Sequence, residues 1–223
     1  MIVTFDFGQT LAELDHEFLA QRVLERGALL DPDRSRRALP LAAQAYDSMK
    51  ARGHAEAWTN MVQTLLEHGG IATPTELAAW LWREQPVKNL WRKPIPGMFD
   101  LALELRSKGV KLGILSNSEG RLAELVEELG KTALFRVIVD SGRVGIDKPD
   151  RRIFELAAEQ LGDTTSELVH VGDSWEADVL GAVGAGARAI WFGHSDGRSL
   201  PERVVACSNA AEVRAALASL GVL

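Results

Sequence analysis

The sequence predicts an α/β fold, a doubly wound parallel sheet with a block of helices inserted after its first strand. Three observations lead there. Short runs rich in β-branched and aliphatic residues stand at 2–5, 110–115, 136–139, 168–171 and 188–192, and most of them end in an acidic or small polar residue. Amphipathic patterns separate the later runs, at 98–107, 119–129 and 150–161, as right-handed crossovers between parallel strands require. Residues 15–93, by contrast, contain almost nothing that reads as strand. The first strand is therefore cut off from the others by the helices. The sheet domain comprises residues 1–14 and 95–223, and a four-helix domain comprises residues 15–94.

Each element has a local reason. Ile2, Val3, Thr4 and Phe5 form a run without polar alternation, the pattern of a strand buried on both faces. In residues 15–30, Phe18, Leu19, Val23 and Leu24 repeat at helical spacing. A second helix covers 33–51 with Pro40 as a kink, and Arg52-Gly53 ends it. A third, 56–68, stops at Gly69-Gly70. Thr73-Pro74-Thr75-Glu76 then predicts a capping box with Pro at the first helical position. Pro86, Pro94 and Pro96 punctuate a connector before the alternating half. There, Ser116-Asn117-Ser118 follows one strand, a loop over 140–149 another, and Gly172-Asp173-Ser174 a third. Residues 178–183 predict a helix, 204–205 a short strand, and 210–220 the last helix.

Composition narrows the class. The chain has 223 residues with 46% hydrophobic and 25% charged content, enough for a core without staples. A net charge of −6 gives no electrostatic reason to expect nucleic acid or an acidic membrane as partner. Cys207 is the single cysteine, which excludes a disulfide framework and suits a reducing compartment. The N-terminal residues have no basic start and no long apolar run, so the expectation is a cytoplasmic protein with no membrane segment. A monomer and a homodimer are both compatible with this composition.

The carboxyl ends of parallel strands are where ligands bind in such sheets. Asp6, Ser116 and Asp173 fall at those ends, with Lys148 in a following loop and Asp178 five residues beyond Asp173. Asp6, Asp173 and Asp178 are hard oxygen donors of the kind Mg²⁺ prefers. Lys148 supplies a fixed positive charge and Ser116 a hydroxyl donor, a set suited to a transferring phosphoryl group. On the strand alone, Asp6 could equally be a turn cap.

The motifs in order resemble the haloacid dehalogenase superfamily of hydrolases. They are Asp6-Phe7-Gly8-Gln9-Thr10 after the first strand, Ser116 ending the second, Lys148-Pro149, and Gly172-Asp173-Ser174-Trp175-Glu176-Ala177-Asp178. The likeness covers residues 1–14 and 95–206, and the helical insert resembles the family's α-helical cap. The resemblance implies a Mg²⁺-dependent hydrolase of small phosphate esters. Asp6 would be the nucleophile, Ser116 and Lys148 would hold the phosphoryl group, and Thr10 and Asn117 would complete the substrate contacts. Asp6, the Gly8 carbonyl, Asp173 and Asp178 would surround the metal. The partner implied is a small phosphorylated metabolite.

One departure stands out. The family's second aspartate, its general acid and base, is Gly8 here. Loss of a positioned acid forfeits about 10²–10⁴ in rate. Three readings follow: substrates with good leaving groups such as sugar-1-phosphates, acyl or aryl phosphates; a donor such as Glu13, Asp15 or His16; or a weak phosphatase or non-catalytic phosphate binder. The dehalogenase branch also lacks that aspartate, but it carries serine in place of Asp173 and tyrosine in place of Gly8. A phosphonate-cleaving reading would need a buried Lys50 or Lys88, and nothing marks either.

Other signals have simpler readings. Gly130-Lys131-Thr132 lacks the upstream glycine of a P-loop, with Leu125 in its place. Gly181, Gly184 and Gly186 end a helix. Trp58, Trp80, Trp82 and Trp91 read as packing, Arg34, Arg36 and Arg37 as a solvated face, and His170 as a packed strand residue.

Overall fold

A computed structural model describes residues 1–193 and 197–223, with the side chains of Asp47 and Ala51 set aside. It divides into two compact units, Met1–Leu14 with Trp91–Leu223, and Asp15–Leu90.

The first unit is built on a six-stranded parallel sheet. In chain order, β1 is Ile2–Phe5, β2 Ala12–Leu14, β3 Trp91–Pro94, β4 Lys111–Ser116, β5 Val137–Asp140, β6 Leu168–Gly172, β7 Arg188–Phe192 and β8 Val204–Cys207. The large sheet runs β5-β4-β1-β6-β7-β8. The chain winds outward from β1 through β4 to β5, then returns to the other side of β1 to lay down β6. That reversal makes a switch point beside β1, where neighbouring loops part and a crevice opens. Period-two alternation sends Val3 and Phe5 into one apolar layer with Leu112, Ile114, Val169 and Val171. Ile2 and Leu168 go to the opposite layer, with Ile153 and Phe154. Both faces are buried, which is why the strands read as unbroken apolar runs.

The helices of this unit are Met98–Ser107, Leu122–Glu128, Ser141–Val144, Arg151–Gln160, Gly181–Gly184 and Ala210–Ser219, with a π-helical turn at Trp175–Leu180 running into the fifth of them. The predicted 178–183 helix thus begins three residues earlier, and the loop expected over 140–149 starts with a helical turn. A second difference concerns the connector. Trp91–Pro94 is a strand, antiparallel to Ala12–Leu14, with Glu13 paired to Lys93 in register. The two short segments hold each other, which neither sequence suggests alone, and residues 91–94 therefore belong with the sheet unit.

The second unit has four helices, His16–Leu24, Pro32–Ala51, Ala57–His68 and Pro74–Glu84. Asp15 caps the first through the Phe18 amide, and Asp31 caps the second through the amides of Asp33 and Arg34. Pro40 lies within the second helix. The capping box expected at Thr73 does not form, because the Thr73 side chain makes no cap hydrogen bond. Pro74, with its fixed φ at the helix start, begins that helix instead. Leu65, Leu66, Ala78 and Leu81 are fully or almost fully buried. Among the described residues, no helix is long and apolar enough to cross a membrane.

Candidate active site

β1 ends at Phe5, and the Asp6 amide continues its ladder by donating to the Val171 carbonyl at 2.8 Å. The Asp6 carboxylate is thereby held at the carboxyl end of the central strand, only 7% exposed. The chain then turns sharply, and Gln9 takes a left-handed φ of +56° while its amide bonds the Ala12 carbonyl. β4 delivers Ser116 and β6 delivers Asp173. The π-helical turn carries Asp178 back beneath them, its carboxylate accepting from the Ser174 amide at 2.9 Å.

Lys148 joins these groups. Its ammonium donates to Asp6 at 2.7 Å, to the Leu115 carbonyl at 2.9 Å and to Asp178. An ammonium has three donors, and all three are used. Asn117 fixes the main chain of Lys148 from both sides. It accepts from the Lys148 amide at 2.8 Å and donates to the Lys148 carbonyl at 3.0 Å. Its amide, expected from sequence to meet substrate, clamps the Lys148 main chain. Thr10 differs too: its side chain is wholly buried and its hydroxyl has no partner among the described residues. It belongs to the packed turn that follows β1.

Electrostatics reports a surplus of negative charge. Ligand oxygens of Asp6, Asp173 and Asp178 lie within 4.8 Å of one another. Three carboxylates thus face one ammonium. Burial pushes the Asp173 carboxyl well above its ordinary range, and Asp178 and Asp6 push it further. Burial likewise raises Asp6, with Asp178 adding to the rise and Lys148 opposing it. Burial opposes charge on Asp178 as well, but Lys148 and His170 overcome it and hold that group ionised. Burial acts against the Lys148 charge, and Asp178 and Asp6 more than restore it. An uncompensated, all-oxygen, partly buried cluster suits a hard divalent cation. The donor set therefore fits Mg²⁺.

Gly8 has its own setting. A Cβ built there would lie 3.4 Å from Trp91 Cδ1 and 3.8 Å from both Cγ and Nε1, ordinary contact distances. Nearly equal distances to both neighbours of Cδ1 put that carbon over the face of the pyrrole ring. Each residue expected as a substitute for the missing acid has a partner of its own. Glu13 pairs with Lys93 at 2.9 Å, Asp15 caps its helix, and His16 is buried with Nδ1 3.0 Å from Ser35 Oγ.

Several contributors carried no motif. Asp140 accepts from the amides of Gly120, Leu122 and Gly142, bracing the turn after β4. Trp191 donates its indole N–H to the Asp173 carbonyl at 2.9 Å. A strand-terminal acid after Val137-Ile138-Val139 was the available signal for Asp140; Trp191 offered none.

Residues 1–186 match the family model described as haloacid dehalogenase-like hydrolase. The glyceraldehyde 3-phosphate phosphatase of Methanothermobacter thermautotrophicus is 34% identical over 122 residues, 54% of this chain and 54% of that protein. The pyrimidine 5'-nucleotidase YjjG of Escherichia coli is 34% identical over 113 residues, 50% of this chain and 49% of that one. The chain spans about half the length of these curated relatives. The magnesium-bound HAD-hydrolase YfnB from Bacillus subtilis is similar in fold, with a TM-score of 0.73 at 21% identity and 97% coverage of each chain.

Proposed function

The chain belongs to the haloacid dehalogenase-like hydrolases, and from that premise we propose that it hydrolyses small phosphate monoesters through a phosphorylated Asp6. The Asp6 carboxylate attacks phosphorus. A new P–O bond forms as the ester P–O bond breaks, and the leaving oxygen departs with the bonding pair as an oxyanion that takes its proton from water. Water then cleaves the acyl phosphate, which returns Asp6 and releases inorganic phosphate. Asp6, Asp173 and Asp178, with the Gly8 carbonyl, are the residues that would hold Mg²⁺. When bound, the ion supplies positive charge against the phosphoryl oxygens.

The observation that carries this reading is the buried Asp6–Lys148–Asp178 cluster with Asp173 on the adjoining strand end. Lys148 keeps its charge beside the nucleophile, lowering the repulsion an incoming phosphate dianion meets from the carboxylates. Ser116, 3% exposed at the end of β4, would offer its hydroxyl to a phosphoryl oxygen. The retained Asp173 favours phosphoryl chemistry over the metal-free dehalogenase reaction.

Gly8 sets the substrate preference. With no carboxyl there and Glu13, Asp15 and His16 committed elsewhere, the leaving group departs largely unprotonated. Aryl, acyl and anomeric phosphates fit that restriction best. The helical unit, residues 15–90, would act as the cap that excludes water and selects substrate. Acid quench during turnover of an aryl phosphate, followed by peptide mass spectrometry, tests the covalent step. A phosphoryl adduct on the peptide bearing Asp6 supports it; turnover with an unmodified Asp6 peptide refutes it.

A further inference from the structure

His170 is a fully buried titratable side chain with no part in the chemistry above. β1 and β6 are parallel neighbours, with Thr4 opposite His170 in the register. Both side chains point into the layer that holds Phe154, whose ring meets the imidazole edge-on at 5.4 Å between centroids. Thr4 Oγ1 lies 2.9 Å from His170 Nδ1, and His170 Nε2 lies 3.0 Å from Asp178 Oδ1.

The chemistry of the partners gives this chain a direction. An ionised carboxylate only accepts, so Nε2 carries the proton. With the proton on Nε2, Nδ1 is the acceptor and the Thr4 hydroxyl, 2.9 Å away, is the donor. The same Asp178 oxygen also receives the Lys148 ammonium, while its other oxygen receives the Ser174 amide. Lys148 in turn bonds Asp6. Donation thus runs from Thr4 to His170 and from His170 to Asp178, which also accepts from the lysine that holds the nucleophile.

We propose that Thr4 and His170 are positioning residues: Thr4 selects the Nε2–H tautomer of His170, and His170 fixes the Asp178 rotamer that places Lys148 against Asp6. The inference rests on the phosphatase reading for its kinetic consequence, but not for its geometry. Outer partners of this kind change activity by ~10–100-fold when removed. Without the imidazole N–H, Asp178 keeps the Ser174 amide and the Lys148 ammonium but loses the bond that aims Oδ1, so the Lys148–Asp6 geometry loosens although no side chain that meets substrate has changed.

Gln and Asn separate this role from simple packing, since the Gln amide nitrogen reaches the place of Nε2 and the Asn amide only that of Nδ1. The test is kcat and KM for an aryl phosphate in Mg²⁺ with His170→Gln, His170→Asn and Thr4→Val, beside ¹⁵N NMR of the imidazole and melting temperatures. Expected are an Nε2–H tautomer in the wild type, and kcat lowered ~10–100-fold in His170→Asn with KM little changed. Most of that loss should be recovered in His170→Gln, with an intermediate loss in Thr4→Val. An Nδ1–H tautomer overturns the proposal, and so do equal losses in the Gln and Asn variants that follow their melting temperatures. A wild type with no turnover defeats the phosphatase reading, and the tautomer then decides the positioning chain on its own.

Discussion

Restoring a carboxyl at position 8 is the most informative perturbation of this site. Gly8 has no left-handed φ, and a Cβ there would meet Trp91 at ordinary contact distance, so Gly8→Asp fits the backbone and the space. The new group joins three carboxylates balanced by one ammonium, and like charge nearby raises its pKa. A raised pKa is what a general acid needs near neutral pH. A positioned acid contributes about 10²–10⁴ in rate, and the contact with Trp91 argues for the lower end, ~10². The gain should fall on substrates that need a proton. An alkyl phosphate should rise ~10²-fold in kcat while an aryl phosphate changes several-fold at most. Steady-state phosphate release from both esters, with the melting temperature as control, measures this. Equal gains on the two esters, or none in a folded variant that still binds Mg²⁺, would refute the account of Gly8.

Other outcomes follow from the same geometry. Lys148→Met leaves Asp6 and Asp178 without their buried partner and should cost about 3–5 kcal/mol in denaturant unfolding, with part of the loss restored by adding Asp178→Asn. No loss in the single variant would mean that the cluster does not need its lysine. Asn117→Ala removes two hydrogen bonds from the Lys148 main chain and should cost about 1–3 kcal/mol while lowering kcat more than it raises KM. A change confined to KM would return Asn117 to substrate binding. Burial raises Asp6 and Asp173, so the native state holds extra protons above the ordinary carboxylate range, and their contribution to stability is lost as pH rises through the raised values. Mg²⁺ held by these carboxylates would relieve that loss. At one fixed Mg²⁺ concentration the gain in unfolding free energy should therefore be larger in mildly alkaline than in mildly acidic buffer, reaching ~2.7 kcal/mol where that concentration is about 100 times Kd. A pH-independent shift would contradict the charge surplus.

Much of the sheet is legible in the sequence because its strands are buried on both faces, so Ile2–Phe5 and Leu168–Gly172 appear as largely apolar runs, with Thr4 and His170 as their polar members. Ala12–Leu14 and Trp91–Pro94 are not legible, being short, charged and ended by a proline, and each is a strand only because the other is there. The same limit applies to the site. Asp6, Lys148, Asp173 and Asp178 stand out as residue types at strand ends and in a following loop, and the fold draws them into one cluster. What Asn117 and Thr10 do depends on where their side chains turn, which spacing does not encode. The Thr4–His170 contact spans 166 residues and becomes visible only through the β1–β6 register.

The central claim, that Asp6 is the nucleophile of a metal-dependent phosphatase, is tested most directly by phosphate release from an aryl phosphate. Wild type and Asp6→Asn are compared with and without Mg²⁺. The asparagine retains the shape of Asp6 and cannot form the acyl phosphate. Turnover that requires Mg²⁺ in the wild type and vanishes in Asp6→Asn, with the fold intact, is the predicted result. Turnover that survives in Asp6→Asn, or a wild type inactive with and without the metal, would contradict the account.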